Sequence, residues 1–313
     1  MLQFIVRNFR KNVNKISFFL ERKPKKYLDY LKQVLIISGI RGFKDDLNIK
    51  FKQWSLNTSN FNVQKDSSIS DTYDYKLICK LAVESEEIFS KFARNREYRA
   101  ILEHVTREQG FAYLNSIKNK EIKGLIPKLQ EINLGNPFKF NYRGIGMISP
   151  TYLRYLKVLD DLKNIFGSLD NFCISEVGAG YGGQAIVIDR LFKIKSYSIY
   201  DLPYSCDLIK KYTERLGTEM PLSFYRDSIG HTSEIDLFIS NYAFSELKRD
   251  IQVAYLNNVI SKSKRGYVTY NHITQDHFDS MNVHEFKVRI DGAEILVEKP
   301  LTFNGNYLVI WGH

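Results

Sequence analysis

Cys173-Ile-Ser-Glu176-Val-Gly178-Ala-Gly180-Tyr-Gly182-Gly183-Gln-Ala-Ile-Val-Ile-Asp-Arg-Leu-Phe192 joins a short apolar run to an apolar helix through a turn with four glycines. Phe172, Cys173, Ile174 and Val177 suit a buried strand. Ala185, Ile186, Val187, Ile188, Leu191 and Phe192 suit a helix packed on a sheet. Glycines let backbone approach a ligand closely, and the free N–H groups of a helix start offer hydrogen bonds and a favourable dipole. A strand, such a turn and a helix together make a site for a nucleotide-like ligand.

Beyond this stretch, short apolar runs alternate with helices. Strands are expected at 173–177, 196–200, 222–225, 235–240 and 266–270, then near 285–290, at 294–298 and at 306–311. Helices fit 184–193, 204–216 and 247–261. This order predicts an α/β fold, a doubly wound parallel sheet closed by an antiparallel hairpin around Lys299-Pro300. Before it, residues 72–118 repeat apolar positions at helical steps and predict two or three helices. Asn133–Tyr142 reads as a connector, and Ser149-Pro150 caps a helix running to Gly167. The organisation expected is a mostly α-helical N-terminal region, 1–144, that caps the sheet domain, 145–313.

The chain has 313 residues and a net charge of +10. Residues 1–50 hold twelve Lys and Arg against four acids, so the surplus lies mostly at the start and not around the glycines. That distribution argues against a nucleic-acid groove. Leu2, Ile5, Phe9, Val13, Ile16 and Leu20 give residues 1–37 a basic amphipathic start, which would suit peripheral contact with an anionic membrane or packing on the protein itself. No run is long and apolar enough for a membrane span, and three scattered cysteines fit a reducing compartment. A cytoplasmic protein is expected, with the inner membrane face as a peripheral location.

Gly178-x-Gly180-x-x-Gly183 satisfies the dinucleotide pattern, and Asp201 ends the next strand. Glu176 two residues before the first glycine, the late position of the motif and the closing hairpin point away from NAD. Glu176-Val-Gly178-Ala179-Gly180-Tyr181-Gly182-Gly183 resembles motif I of class I S-adenosylmethionine-dependent methyltransferases, and Asp201-Leu202-Pro203, Asp227-Ser228 and Asn241-Tyr242 match the loops after the next strands. The phrases Ser149–Leu156, Glu176–Gln184, Asp201–Pro203 and Ser240–Glu246 are similar to bacterial sugar O-methyltransferases of surface polysaccharide synthesis.

The resemblance implies a Rossmann-like sheet and S-adenosylmethionine as cofactor, with S-adenosylhomocysteine as product. Asp201 would accept from the ribose hydroxyls, and the Gly178–Gly182 backbone, through Ala179 and Tyr181, would lie along the donor. Glu176 would stand near its amino-acid end. Asp227 and Ser228 would meet the adenine edge, Leu202 would cover a ring face and Asn241 would complete the donor site.

An acceptor hydroxyl needs a base. His272, just after the fifth expected strand, is the best-placed histidine, with Asn271 to orient it, and Glu246 is the second candidate. The run His272–Asp279 holds metal-ligand types, so a divalent cation is a less favoured alternative, and no metal ligands are assigned. His104 could belong to a lid, and Tyr73, Tyr75, Tyr98 and Arg99 are candidates for sugar faces. Asn241-Tyr242 also resembles the Asn/Asp-Pro-Pro-Tyr motif of amine methyltransferases, but its prolines are absent, with Ala243 and Phe244 in their place. The expected reaction is O-methylation of a saccharide, free, lipid-linked or nucleotide-linked. Two alternatives are an NAD-dependent oxidoreductase and a non-catalytic interaction protein with the same fold.

Overall fold

The computed structural model describes Ser68 and residues 70–226, 229–230, 233–274 and 278–313. The amphipathic start 1–37, Asp227, Ser228, Asp276, His277 and the side chain of Tyr73 lie outside the described residues.

The N-terminal helices begin where polar caps can accept the free N–H groups of a first turn. Thr72 caps α1 (Tyr73–Glu84), and Ser85 both ends it and caps α2 (Glu86–Phe89). Asn95 caps α3 (Arg96–Ile101), and Thr106 with Gln109 forms a capping box on α4 (Arg107–Ser116). Two short helices follow, α5 (Lys120–Lys123) and α6 (Ile126–Gln130). The expected connector ends in a strand, β1 (Phe140–Tyr142), which pairs antiparallel with β2 (Gly146–Ile148). Ser149 then caps α7 (Pro150–Phe166), with Pro150 at its first position as expected.

The sheet domain runs β3 (Cys173–Val177), α8 (Gly183–Asp189), β4 (Ser196–Tyr200), α9 (Pro203–Arg215), β5 (Leu222–Tyr225), β6 (Leu237–Asn241), α10 (Arg249–Asn258) and β7 (Gly266–Tyr270). It closes with α11 (Val283–Lys287), β8 (Glu294–Val297) and β9 (Tyr307–Trp311). Residues 285–290, expected as a strand, instead hold most of α11. Asn282 accepts from the N–H groups of His284 and Glu285, and Glu285 returns to the Asn282 N–H. That reciprocal cap, with Val283 and Phe286 buried one turn apart, fixes a helix where the apolar spacing alone fits both periods.

The strand order is β5-β4-β3-β6-β7-β9-β8, parallel except for β9, which is antiparallel to both neighbours. This is a Rossmann-like, mostly parallel sheet with a closing antiparallel hairpin. Two cores flank it. On one face Ile174, Tyr197, Ile239, Tyr267 and Leu308 pack with α7, α8, α9 and the N-terminal helices. On the other, Val177, Phe238, Val268, Val309 and Trp311 pack with α10 and α11. Strand order reverses between β3 and β6, so loops diverge there and leave a crevice at the strands' C-terminal ends.

Candidate functional site at the strand-order reversal

The glycine turn closes β3 at this reversal. Gly178, Gly180 and Gly182 all have positive φ (+75°, +65° and +85°), a backbone that side chains resist. Gly182 in that conformation is the N-cap of α8. The bare positions also serve packing inside the protein. A Cβ on Gly178 would lie 2.0 Å from Ala243 Cβ, and one on Gly183 would lie 2.1 Å from the ring of Tyr155 on α7. Tyr181 turns its ring away from the turn into an aromatic cluster, 5.0 Å from Tyr212 and 6.1 Å from Phe92. The side chains of Tyr181 and Ala179 are both buried, so neither is offered to a ligand at the turn.

Asp201 stands at the end of β4, beside the turn. The Leu202 N–H donates to its carboxylate at 2.8 Å, and the Ser205 hydroxyl and the Ala179 and Gly180 N–H groups also hold it. Burial is the dominant influence and pushes its carboxyl up to about 6. Asp201 therefore ties the glycine turn to β4 through its own oxygens. Leu202 is half-buried at the start of α9. Glu176 is buried on β3, accepts from the Tyr197 hydroxyl at 2.8 Å, and is pushed up by burial to about 8.

The end of β6 completes the crevice. The Ser240 hydroxyl donates to the Val177 carbonyl at 2.9 Å and accepts from the Phe244 N–H at 3.0 Å, which binds the two turns together. Asn241 follows, and both its amide nitrogen and its amide oxygen are sealed from solvent with no hydrogen-bond partner. Its register partner on β7, Thr269, has an unpartnered buried hydroxyl as well. Alternation puts both on the sheet face of Ile239 and Tyr267, the face α7 covers through the Tyr267 hydroxyl, which donates to Asp161 at 2.6 Å. Tyr242 takes φ +70°, a strained conformation for an aromatic residue, and its hydroxyl donates to Glu298 of the β8–β9 connection. An unsatisfied buried amide is a place for a ligand's polar group.

Glu246 ends the turn after β6. Asn271 donates to its Oε1 at 2.7 Å, and the Asn271 N–H is held by Ser245 Oγ at 3.2 Å. Burial pushes the Glu246 carboxyl up to about 7. The structure thus brings Glu246 and Asn271 together. It sets His272 elsewhere: the imidazole packs 5.8 Å from the rings of both Tyr270 and Tyr307, on the face opposite Thr269. Tyr75 and Tyr98, considered for sugar faces, are core residues at 3% and 0% exposure. Arg99 stacks over Phe138 at 4.0 Å. Leu102, next to Glu103 and His104, lies 3.3 Å from where a Gly180 Cβ would be, so the helical region reaches the glycine turn. Among the described residues no group of three His, Cys, Asp or Glu is arranged to hold a metal ion, and no helix is long and apolar enough to cross a membrane.

Sequence reading missed Thr269, Glu298 and Arg154 of α7, whose Nε is sealed from solvent without a hydrogen-bond partner. Arg154 left one signal, a lone charge inside the apolar run Tyr152–Leu156 of a buried helix.

No protein-family model and no curated protein matches this chain. Among solved structures it is similar to magnesium protoporphyrin IX methyltransferase (ChlM) from Synechocystis PCC 6803 with bound SAH, at 12% identity and TM-score 0.41, covering 51% of this chain and 81% of that one. It is also similar to an rRNA methylase from Streptococcus thermophilus, at 15% identity and TM-score 0.35, covering 45% of this chain and 87% of that one. Likenesses of this size assign no residue a role.

Proposed function

We propose that the protein is an S-adenosylmethionine-dependent methyltransferase that methylates a hydroxyl of a saccharide, free or carried on a lipid or nucleotide. One observation carries the reading. At the strand-order reversal the Gly178–Gly182 turn meets the end of β6, where both atoms of the Asn241 amide are buried and unpartnered. A donor with an adenosine and an amino-acid end suits that arrangement. The turn offers backbone close to the ligand, Asp201 and Leu202 stand at the next strand end, and the Asn241 amide awaits one donor and one acceptor.

Bound there, the cofactor supplies an electrophilic methyl group on a sulfonium sulfur. The rest falls to the chain. Glu246 is the proposed base: its carboxyl is held near neutrality by burial and oriented by Asn271, and it removes the proton from the acceptor hydroxyl as the oxygen attacks. Tyr242, next to Asn241 of the donor site, fixes the acceptor side through its strained backbone and its bond to Glu298. Residues 1–37, outside the described part, would suit contact with a membrane-borne acceptor.

A thermal-shift titration tests the donor. S-adenosylhomocysteine should raise the melting temperature and NAD should not. A shift with NAD alone would make the protein an oxidoreductase, and no shift with either would favour a non-catalytic role.

A further inference from the structure

Arg154 projects from α7, the helix that covers the sheet face of Asn241 and Thr269. Its Nε is sealed from solvent and has no hydrogen-bond partner. Among the described residues no carboxylate comes within ion-pair distance, 4.0 Å, of its guanidinium. Arg154 as a whole is half-buried, with its guanidinium 5.5 Å from the centre of the Tyr155 ring and hydrogen-bonded to that side chain, so the sealed Nε is the donor left for a ligand to complete.

Burial works against its charge, but Tyr155, Tyr113, Tyr242 and Glu103 around it favour the charged form and hold it above the usual guanidinium range. Glu103 accepts from the Thr151 hydroxyl at 2.9 Å, and burial pushes its carboxyl up to about 7, so it is only partly ionised at neutral pH. Glu298, beyond Tyr242, is already held by the Tyr242 hydroxyl, by Thr302 N (3.0 Å) and Oγ1 (2.6 Å), and by Asn306 Nδ2 (3.2 Å). Tyr155, beside it on α7, lies against the glycine turn, whereas Asp161, two turns on, reaches Tyr267 near the start of β7, so Arg154 stands at the C-terminal ends of the strands, where the acceptor would lie.

We infer that Arg154 is an anion receptor for the acceptor: a carboxylate or phosphate carried near the methylated hydroxyl completes its ion pair. The inference rests on the methyl-transfer reading above. The planar guanidinium offers two parallel N–H donors that match either anion, and an ammonium in its place would not. The acceptor is then an acidic saccharide, a uronate or a sugar phosphate, and not a neutral one.

Calorimetry with S-adenosylhomocysteine and with 5′-methylthioadenosine, which lacks the amino-acid end, comes first, on wild type, Arg154→Gln and Arg154→Lys. Inorganic phosphate and acetate are then titrated into the S-adenosylhomocysteine complexes at ionic strength held constant with chloride, followed by melting temperature. Nucleoside affinities should be alike in all three proteins. Phosphate or acetate should raise the melting temperature of wild type, and Arg154→Gln should lose the shift. The more effective anion identifies the source, phosphate ester or carboxylate. A loss of about tenfold or more in S-adenosylhomocysteine affinity, with methylthioadenosine spared, would assign Arg154 to the donor's carboxylate and overturn the inference. Equal anion shifts in wild type and variants, or none in wild type, would overturn it too. Arg154→Lys retains the charge and keeps the test open if Arg154→Gln does not fold. Wild type that fails to bind S-adenosylhomocysteine refutes the methyl-transfer reading itself, whereas binding without an anion response refutes this inference alone.

Discussion

Ala243 occupies the space that a side chain on Gly178 would need, its Cβ 2.0 Å from where the Gly178 Cβ would stand. The turns after β3 and β6 are therefore in contact, and the Ser240–Val177 hydrogen bond holds them so. Gly178→Ala meets two penalties: the positive φ, about 1–2 kcal/mol, and overpacking, about 1–3 kcal/mol. The double variant Gly178→Ala with Ala243→Gly relieves only the second. Urea unfolding should show a large loss for the single variant and a partial recovery for the double. Equal stability in the two would mean that the turns do not touch.

Stability should fall as pH rises through neutrality. Burial, the largest influence in each case, pushes Glu176 up to about 8, Glu103 and Glu246 to about 7 and Asp201 to about 6. In the unfolded chain such acids titrate near ~4. The folded state holds their protons more tightly, so the stabilisation is complete below about pH 4 and is lost as pH climbs toward 8. Half-buried Glu285 is shifted down by the Asn282 N–H, and its contribution disappears at acid pH instead. The urea midpoint of the ligand-free protein should be higher at pH 5 than at pH 8, and Glu176→Gln should narrow the difference. A midpoint that rises over this interval would contradict the sealed environment of Glu176.

Glu246→Gln should lower kcat by about 10²–10⁴-fold and leave S-adenosylhomocysteine affinity unchanged. Glutamine keeps an oxygen for the Asn271 amide, so the turn survives and only the proton acceptor is lost. In wild type the rate should rise with pH and level off above about 7, since only the ionised carboxylate accepts a proton. His272→Ala should retain most activity, because its ring packs against Tyr270 and Tyr307. The opposite pair of results would move the base to His272.

The parts legible in the sequence are those whose cause is local. β3, β4, β5 and β7 have the bounds their apolar runs announce, and β6 starts two residues late, since Ile235 makes only an isolated bridge to Ser263. The glycine turn and Asp201 were visible because a tight turn needs glycine wherever it occurs. Strands β1 and β2 were not, being three residues each with Gly146 and Asn141 in them. In α11 the apolar spacing misled, and the Asn282–Glu285 cap decides. The Arg154 surroundings draw on α4, α7, the β6 turn and the β8–β9 connection. No spacing rule joins segments that far apart, so their meeting is a property of the packing.

Asn241 sets stability against function. Both polar atoms of its amide are buried without partners, a condition that costs about 1–3 kcal/mol in a protein interior. Leucine at this position has similar volume and no polar atoms to strand. Asn241→Leu should therefore be at least as stable as wild type in urea, with an unchanged m-value, while S-adenosylhomocysteine binding weakens or disappears. Most substitutions at a buried polar residue destabilise, so the combination of gain and loss is specific to a site completed by its ligand. A marked loss of stability would mean that the amide already has partners within the fold. Unchanged ligand affinity would remove Asn241 from the donor site.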